Sequence, residues 1–471
     1  MGDEISHRHF EADDFSQFRH NLDSETRQLE AMFANQRFSP RGDILGFELE
    51  ACIVDSVGRP AAMNQKLLEV LSNPLVVPEL AEFNVELNGS PVSVTGKVFS
   101  RLHDELKTTW TACREGARNC NSRLISIGIL PTVQLDFLDS SHMSDMVRYQ
   151  ALNDRIIALR DGAPMHIAIR GSDELLMQHE DVMLEAVTTA FQVHLQSKPE
   201  NSVLDFNASL VASAPIIALS ANSPFLFGKS LWCETRIPLF EQAIDVGEKY
   251  PPRVGFGTGY ANDSLFEIFQ ENQSIHPILI PYVQNEPRDK FAHLRFQNGT
   301  IWRWNRPLVG FDYDGQPHIR VEHRVIPSGP TILDCVANCA AYYGLVRGLT
   351  ALKEPIERKI PFSTARNNFY AAAKDGMDAN VVWTEGEIPV RKLILDWLLP
   401  MAKEALEEIE IPASEVEKYL GILRARTETG QNGASWQRAW IEKHGGDFDG
   451  LVRTYIDLQE TDQPVHTWPL Q

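Results

Sequence analysis

The chain has few cysteines and pairs none of them in a motif. Its six cysteines (Cys52, Cys113, Cys120, Cys233, Cys335 and Cys339) are spread over 471 residues, and no Cys-x-x-Cys occurs. That spacing excludes a disulfide-stapled scaffold, and Cys335 with Cys339, four apart on an expected helix, reads as packing rather than a zinc site. A reducing compartment is the expectation. Basic charge is also scarce, with 44 Lys and Arg against 64 Asp and Glu, a formal net charge of −20. Nonspecific nucleic-acid binding and anionic-membrane binding both require the opposite balance. No apolar run approaches membrane-spanning length, and residues 1–11 are polar, without the apolar core of a signal peptide. The sequence therefore predicts a cytoplasmic protein with neither nucleic-acid nor membrane partners. A Gly-x₄-Gly-Lys-Ser/Thr loop is missing, which argues against a P-loop nucleotide site. The run Gly255-Phe256-Gly257-Thr258-Gly259 does not fit the dinucleotide fingerprint and reads as a surface loop or a flap over a site. Repeats, low-complexity tracts and flexible linkers are absent, so the chain is expected to pack as one body.

What is present is alternation. Over residues 44–54 the odd positions Leu45, Phe47, Leu49, Ala51 and Ile53 are apolar, while the even positions include Glu48 and Glu50. Period two predicts a half-buried strand with both carboxylates on one face, roughly 7 Å apart along the backbone. Like charges that close repel unless a cation lies between them, and a divalent metal with oxygen ligands is the usual solution. A solvated strand face is the plain alternative for one such pair, but the pattern recurs. Residues 83–88 set Phe83, Val85 and Leu87 against Asn84, Glu86 and Asn88. Residues 190–196 set Phe191, Val193 and Leu195 against Gln192, His194 and Gln196. Residues 319–326 set Ile319, Val321 and Val325 against Arg320, Glu322 and Arg324, with His323 as the exception. A sheet with helices on its apolar side would turn these groups toward one hollow. Clustered carboxylates there imply metal ions, and the neighbouring arginines can hold phosphate oxygens or a substrate carboxylate.

Between the strands, helices are expected over 24–35, 64–71, 98–123, 140–160, 205–219 and 331–352, and through most of the chain from 389. Short strands are expected over 126–130 and 165–170, and Asn298-Gly299 reads as a tight turn. Trp302 and Trp304 read as wall residues rather than chemical participants. Arg148 with Tyr149, and Asn367 with Asn368, are equally compatible with structure and with substrate contact.

The strand Gly46-Phe47-Glu48-Leu49-Glu50 resembles that of the glutamate–cysteine ligase family of the bacterial and archaeal carboxylate–amine ligase type. So do Gln192-Val193-His194-Leu195-Gln196, the run from Asn298 through Trp302-Arg303-Trp304-Asn305 to Arg306, and Arg320-Val321-Glu322-His323-Arg324. Arg366-Asn367-Asn368-Phe369, with Ala371 and Gly376, looks like that family's late signature, so the resemblance spans roughly residues 40–385. It implies an α+β, glutamine synthetase-like fold, in which a curved antiparallel sheet forms the active-site funnel and helices cover its outer face. It also implies a catalytic domain over 1–385, with a helical C-terminal extension over 386–471 packed on the same body. By the same resemblance Glu48, Glu50, Glu86, His194 and Glu322 would ligate Mg²⁺ or Mn²⁺, and Arg324 would stabilise the transferring phosphoryl group of ATP. Arg306 would clamp a carboxylate or phosphate, with Arg320, Gln192, Gln196, Trp304 and Arg148 as further substrate or ATP contacts. The implied reaction joins an amino-acid carboxylate, by default glutamate, to an amine, by default cysteine, through an acyl phosphate, in a homo-oligomer. Two other readings fit the same hollow: a phosphagen-type kinase acting on a guanidino group, and a non-catalytic protein that binds ATP or a metabolite. The histidine strand departs from relatives that carry a second histidine, which leaves the amine open.

Overall fold

The computed structural model describes residues 4–470. In chain order its strands are β1 (Ile44–Val54), β2 (Val76–Pro78), β3 (Asn84–Asn88), β4 (Val92–Ser93) and β5 (Arg123–Ile125), followed by a separate hairpin of β6 (Met165–Arg170) and β7 (Glu174–His179). After β8 (Phe191–Ser197) come two short pairs, β9 (Phe225–Leu226) with β10 (Lys229–Ser230) and β11 (Val254–Gly255) with β12 (Trp302–Arg303). Then follow β13 (Asn305–Phe311), β14 (Pro317–His323) and a late hairpin. The main sheet runs β13-β14-β8-β1-β3-β2, antiparallel throughout, with β4 and β5 also pairing β1, and it curls into a half-barrel.

Alternation decides which face is buried. Leu45, Phe47, Leu49, Ala51 and Ile53 are all at most 3% exposed, and the same holds for Phe83, Val85, Leu87, Phe191, Val193 and Leu195. Two helices, Ser202–Ser220 and Ile332–Thr350, pack against strands of this sheet and against each other. Full burial of side chains this size stabilises by roughly 1.5–3 kcal/mol each, so a one-residue slip of β1 would be prohibitive. His323, out of pattern in the sequence, is a core residue. Its ring stacks on Tyr342 at 4.1 Å and its Nδ1 lies 2.7 Å from Asn305 Oδ1. The 22-residue stretch Pro199–Ser220 is the one segment among the described residues long and apolar enough to cross a membrane. Of its most apolar 18-residue window, 89% is buried inside the fold.

Several expected elements shift. The first helix spans Ala12–Ala34, beginning well before residue 24. The expected strand over 126–130 is β5 at Arg123–Ile125, because β5 pairs with residues 52–54 of β1 and the chain then leaves the sheet. Residues 140–160 hold a short 3₁₀ turn and a helix that starts only at Val147. Asn298-Gly299 closes the helix Ala292–Gly299 instead of forming a hairpin turn, since Asn298 is held by Asn272 at 2.7 Å and by the Pro307 carbonyl at 3.0 Å. The glycine-rich loop is fastened. Gly255 pairs with Arg303, and Thr258 donates to Glu271, which is 3.0 Å from Arg303. C-terminal helices are tied to the same body by buried bonds, Arg426 to Asp334 at 2.7 Å and Gln459 to the Ser126 carbonyl at 2.8 Å.

Candidate active site

Register sets the site. On β8, His194 stands opposite Glu322 of β14 and Gly46 of β1, and Gln192 stands opposite Glu48. On β3, Glu86 stands opposite Glu50. Glu48, His194 and Glu322 thereby converge, one ligand atom of each lying within 4.8 Å of the others. His194 Nε2 is 3.2 Å from Glu48 Oε1 yet buried without a hydrogen-bond partner among the described residues. Two carboxylates and an imidazole nitrogen left open in this way suit a hard divalent cation such as Mg²⁺ or Mn²⁺. Arg320 Nε donates to His194 Nδ1 at 3.1 Å, which fixes the plane of the imidazole and places its hydrogen on Nε2 facing Glu48, so a cation on Nε2 would displace that hydrogen and the Arg320 contact together.

Glu322 is braced by arginine. Arg306 Nε and Nη2 donate to its two oxygens at 2.8 and 3.1 Å, a bidentate fork, and Arg324 Nη1 lies 3.3 Å from Oε2. The third nitrogen of Arg306 caps carbonyls at the end of the helix Ala292–Gly299, donating to Asn298 and Gly299 at 3.3 and 3.2 Å. Burial pushes the Glu322 carboxyl up, but Arg306, Arg324 and His194 outweigh it and hold it far below the usual range. Burial likewise raises Glu48, and the His194 imidazole overcomes this to hold it at about 2. Arg324 also donates to Gln192, whose amide donates to Glu50 at 2.8 Å, while Arg324 Nε is buried with no acceptor among the described residues.

Glu50 and Glu86 belong to a second acidic group beside the first. Glu50 accepts from the Ala190 amide at 2.7 Å, and Asn88 donates to Glu86 at 3.0 Å. Glu79, which the sequence reading missed, joins them. It is 7% exposed, its Oε2 accepts from Tyr149 at 3.4 Å, and its Oε1 is buried without a partner among the described residues. Burial pushes Glu50 up to about 7 against the pull of Arg324, and Glu79 up to about 8 with Glu50 adding to the effect. Glu86 is raised well above the usual range, by burial first and then by Glu48. Glu185, in the 3₁₀ segment leading to β8, is also raised to about 8 by burial and by Glu50. The signal for Glu79 was slight: it follows β2, three residues long and too short to alternate. Arg236 was missed for a similar reason, as a helix residue whose carbonyl contacts to residues 324 and 325 only the fold creates.

A cavity of about 250 Å³ opens beside Glu48 and Glu322. Its walls combine Arg148, Arg295, Arg306 and Arg320 with apolar surface from Phe269, Ile280, Leu294, Phe296, Trp302 and Val309. Trp302, not Trp304, faces this space. Trp304 is 1% exposed, donates to Glu241 at 2.8 Å and packs on Phe240 and Phe369. Gln196 is likewise turned elsewhere, bonded to Asp312 at 3.1 Å. Asn368 serves structure, exchanging 2.8 Å bonds with the Val382 backbone.

The main sheet is a curled antiparallel half-barrel that turns acidic, histidine and arginine side chains inward. The chain belongs to glutamate–cysteine ligase family 2, whose model matches residues 44–454, and it is an ATP-dependent carbon–nitrogen ligase acting on small molecules. Its fold is similar to that of the glutamate–cysteine ligase from Francisella tularensis solved in complex with AMP. That likeness has a TM-score of 0.57 at 12% identity, over 92% of this chain and 91% of that one. It is also similar to a bifunctional glutathione synthetase from Pasteurella multocida, with a TM-score of 0.51 at 12% identity, over 93% of this chain and 54% of that one. No curated protein matches the chain in sequence.

Proposed function

We propose that the chain joins the γ-carboxylate of glutamate to an amine, cysteine by default, through a γ-glutamyl phosphate formed at the expense of ATP. The observation that carries this is the convergence of Glu48, His194 and Glu322 within 4.8 Å, with Glu48 and Glu322 lining an arginine-rich, partly apolar cavity. Phosphoryl transfer asks the protein for position and charge neutralisation more than for a covalent nucleophile, and this site offers both. The nucleoside would lie on the apolar walls and the triphosphate on the arginines. Glu48, His194 and Glu322 would hold one Mg²⁺ or Mn²⁺, with Glu50, Glu79 and Glu86 the donors for another, and such ions neutralise phosphate charge when bound.

The remaining work falls to the chain's own groups. Arg306 is spent on Glu322 and helix carbonyls, so its role is to fix the Glu322 oxygens. Arg324 is different: one nitrogen reaches Glu322 and Gln192, and its Nε–H, buried with no acceptor among the described residues, would donate to an oxygen of the transferring phosphoryl group.

Mass spectrometry of products after incubation with ATP, Mg²⁺, glutamate and a pool of amines tests the reading. A γ-glutamyl amide with stoichiometric ADP and phosphate is expected. ADP formed with a guanidino acceptor and no amide would point to the kinase reading, and ATP binding without turnover to a regulatory one.

A further inference from the structure

The helix Val147–Leu159 carries Arg148 and Tyr149 into the cavity wall, yet it starts without a cap of its own. Met146 precedes it with no side-chain bond, and its first turn contains no acid. An uncapped helix start leaves backbone N–H groups seeking an acceptor and a partial positive charge seeking an anion. Both are supplied from 144 residues away. Glu4 Oε1 accepts the Arg148 backbone N–H at 3.1 Å, at the second helical position, where a capping side chain normally bonds. The segment bearing Glu4 is itself anchored. Ile5 is 3% exposed, Arg8 donates to Gln150 at 3.2 Å and lies 3.7 Å from Asp154, and the His7 ring lies 5.5 Å from that of Tyr282. Tyr282 stands in sequence between Ile280 and Gln284, which also line the cavity. The segment thus touches two stretches of the chain that line the same space.

We propose that Glu4 is a positioning residue of this site: by capping the cavity-lining helix from outside it, Glu4 sets Arg148 where an anionic group of the nucleotide meets it. The Arg148 guanidinium lies 4.7 Å over the Tyr149 ring and donates to its hydroxyl at 2.9 Å, and that hydroxyl reaches Glu79. A shift of the helix start therefore moves Arg148, Tyr149 and the Glu79 contact together. The inference rests on the reading of the cavity as the nucleotide site.

Calorimetric titration of the full chain with ATP and Mg²⁺, without acid or amine, provides the test. Glu4→Ala is expected to weaken binding about three- to tenfold, the range of a lost cap. Glu4→Gln is expected to stay within about twofold of wild type, because its amide oxygen accepts the same bond. Arg148→Ala weakens binding, and Glu4→Ala added to it weakens it by less than it weakens the wild type, since part of what Glu4 does passes through that side chain. Wild-type affinity in Glu4→Ala, or additive losses in the double variant, would overturn the inference and leave the ligase reading standing. A wild-type chain that binds no nucleotide overturns both.

Discussion

Glu322 and Glu50 sit two strands apart on one sheet, 3% and 7% exposed, and the fold treats them in opposite ways. Glu322 is gripped by Arg306 and Arg324 and kept ionised far below neutrality. Glu50 has two neutral donors, from Ala190 and Gln192, and shares its surroundings with Glu79 and Glu86, so burial pushes all three toward the protonated form. The first group is neutralised by the protein and is preorganised as charge. The second is held toward the protonated form, and on the function proposed above a cation would replace those protons. Identical side chains on one face can therefore serve as a permanent fixture and as an exchangeable one, depending on where the arginines fall.

The same substitution made in each group should separate these roles most widely. Glu322→Gln leaves Arg306 and Arg324 buried without their counter-charge. Breaking a buried pair this way costs about 3–5 kcal/mol, and turnover should be lost with it. Glu86→Gln removes a carboxyl that burial pushes toward the protonated form in the absence of metal. Stability there should change by less than about 1 kcal/mol, because the amide matches the protonated acid in shape and polarity. Its turnover should still fall, by about a hundredfold, because a neutral amide cannot hold a cation's charge. Urea unfolding followed by tryptophan fluorescence, with amide formation measured on the same samples, checks both. Equal destabilisation by the two variants would erase the contrast.

The ionised faces were legible in the sequence because strands of five residues or more carry their own register. Glu48, Glu86, His194, Glu322 and Arg324 all follow from period two, and the apolar partners that betray them are buried as expected. What the alternation could not say was which charges would meet. Cross-strand register pairs Glu322 with His194 and Glu50 with Glu86, dividing one expected hollow into two groups. Glu79 was illegible because β2 is three residues long, and Trp302 and Trp304 were indistinguishable because only tertiary packing sends one into the cavity and the other into the core. His323 shows the reverse. Its break in the pattern carried information, since a histidine on the apolar side needs a partner, and Asn305 supplies one.

The contrast sharpens further with pH. For Glu50, Glu79 and Glu86 the folded-state values lie above the ordinary carboxyl value, so folding binds protons. The stability they lend is complete below about pH 4.5, and for Glu50 and Glu79 it is lost as pH rises toward 8. For Glu48 and Glu322 the folded values lie below it, so their contribution is complete above about pH 4.5 and fades only as pH falls toward 2. Between pH 6 and 8 Glu50 and Glu79 titrate while Glu48 and Glu322 stay ionised. The metal-free chain should therefore lose about 2–4 °C of Tm across that window. A saturating divalent cation should reverse the loss, because it binds the ionised carboxylates that the proton otherwise blocks. The same competition makes cation binding release protons. Adding Mg²⁺ or Mn²⁺ to the chain in weak buffer at pH 7 should acidify the solution, and Glu86→Gln should release fewer protons than wild type. Unchanged proton release in that variant would mean that the second group does not exchange protons for metal, and the division between fixed and exchangeable charge would fail.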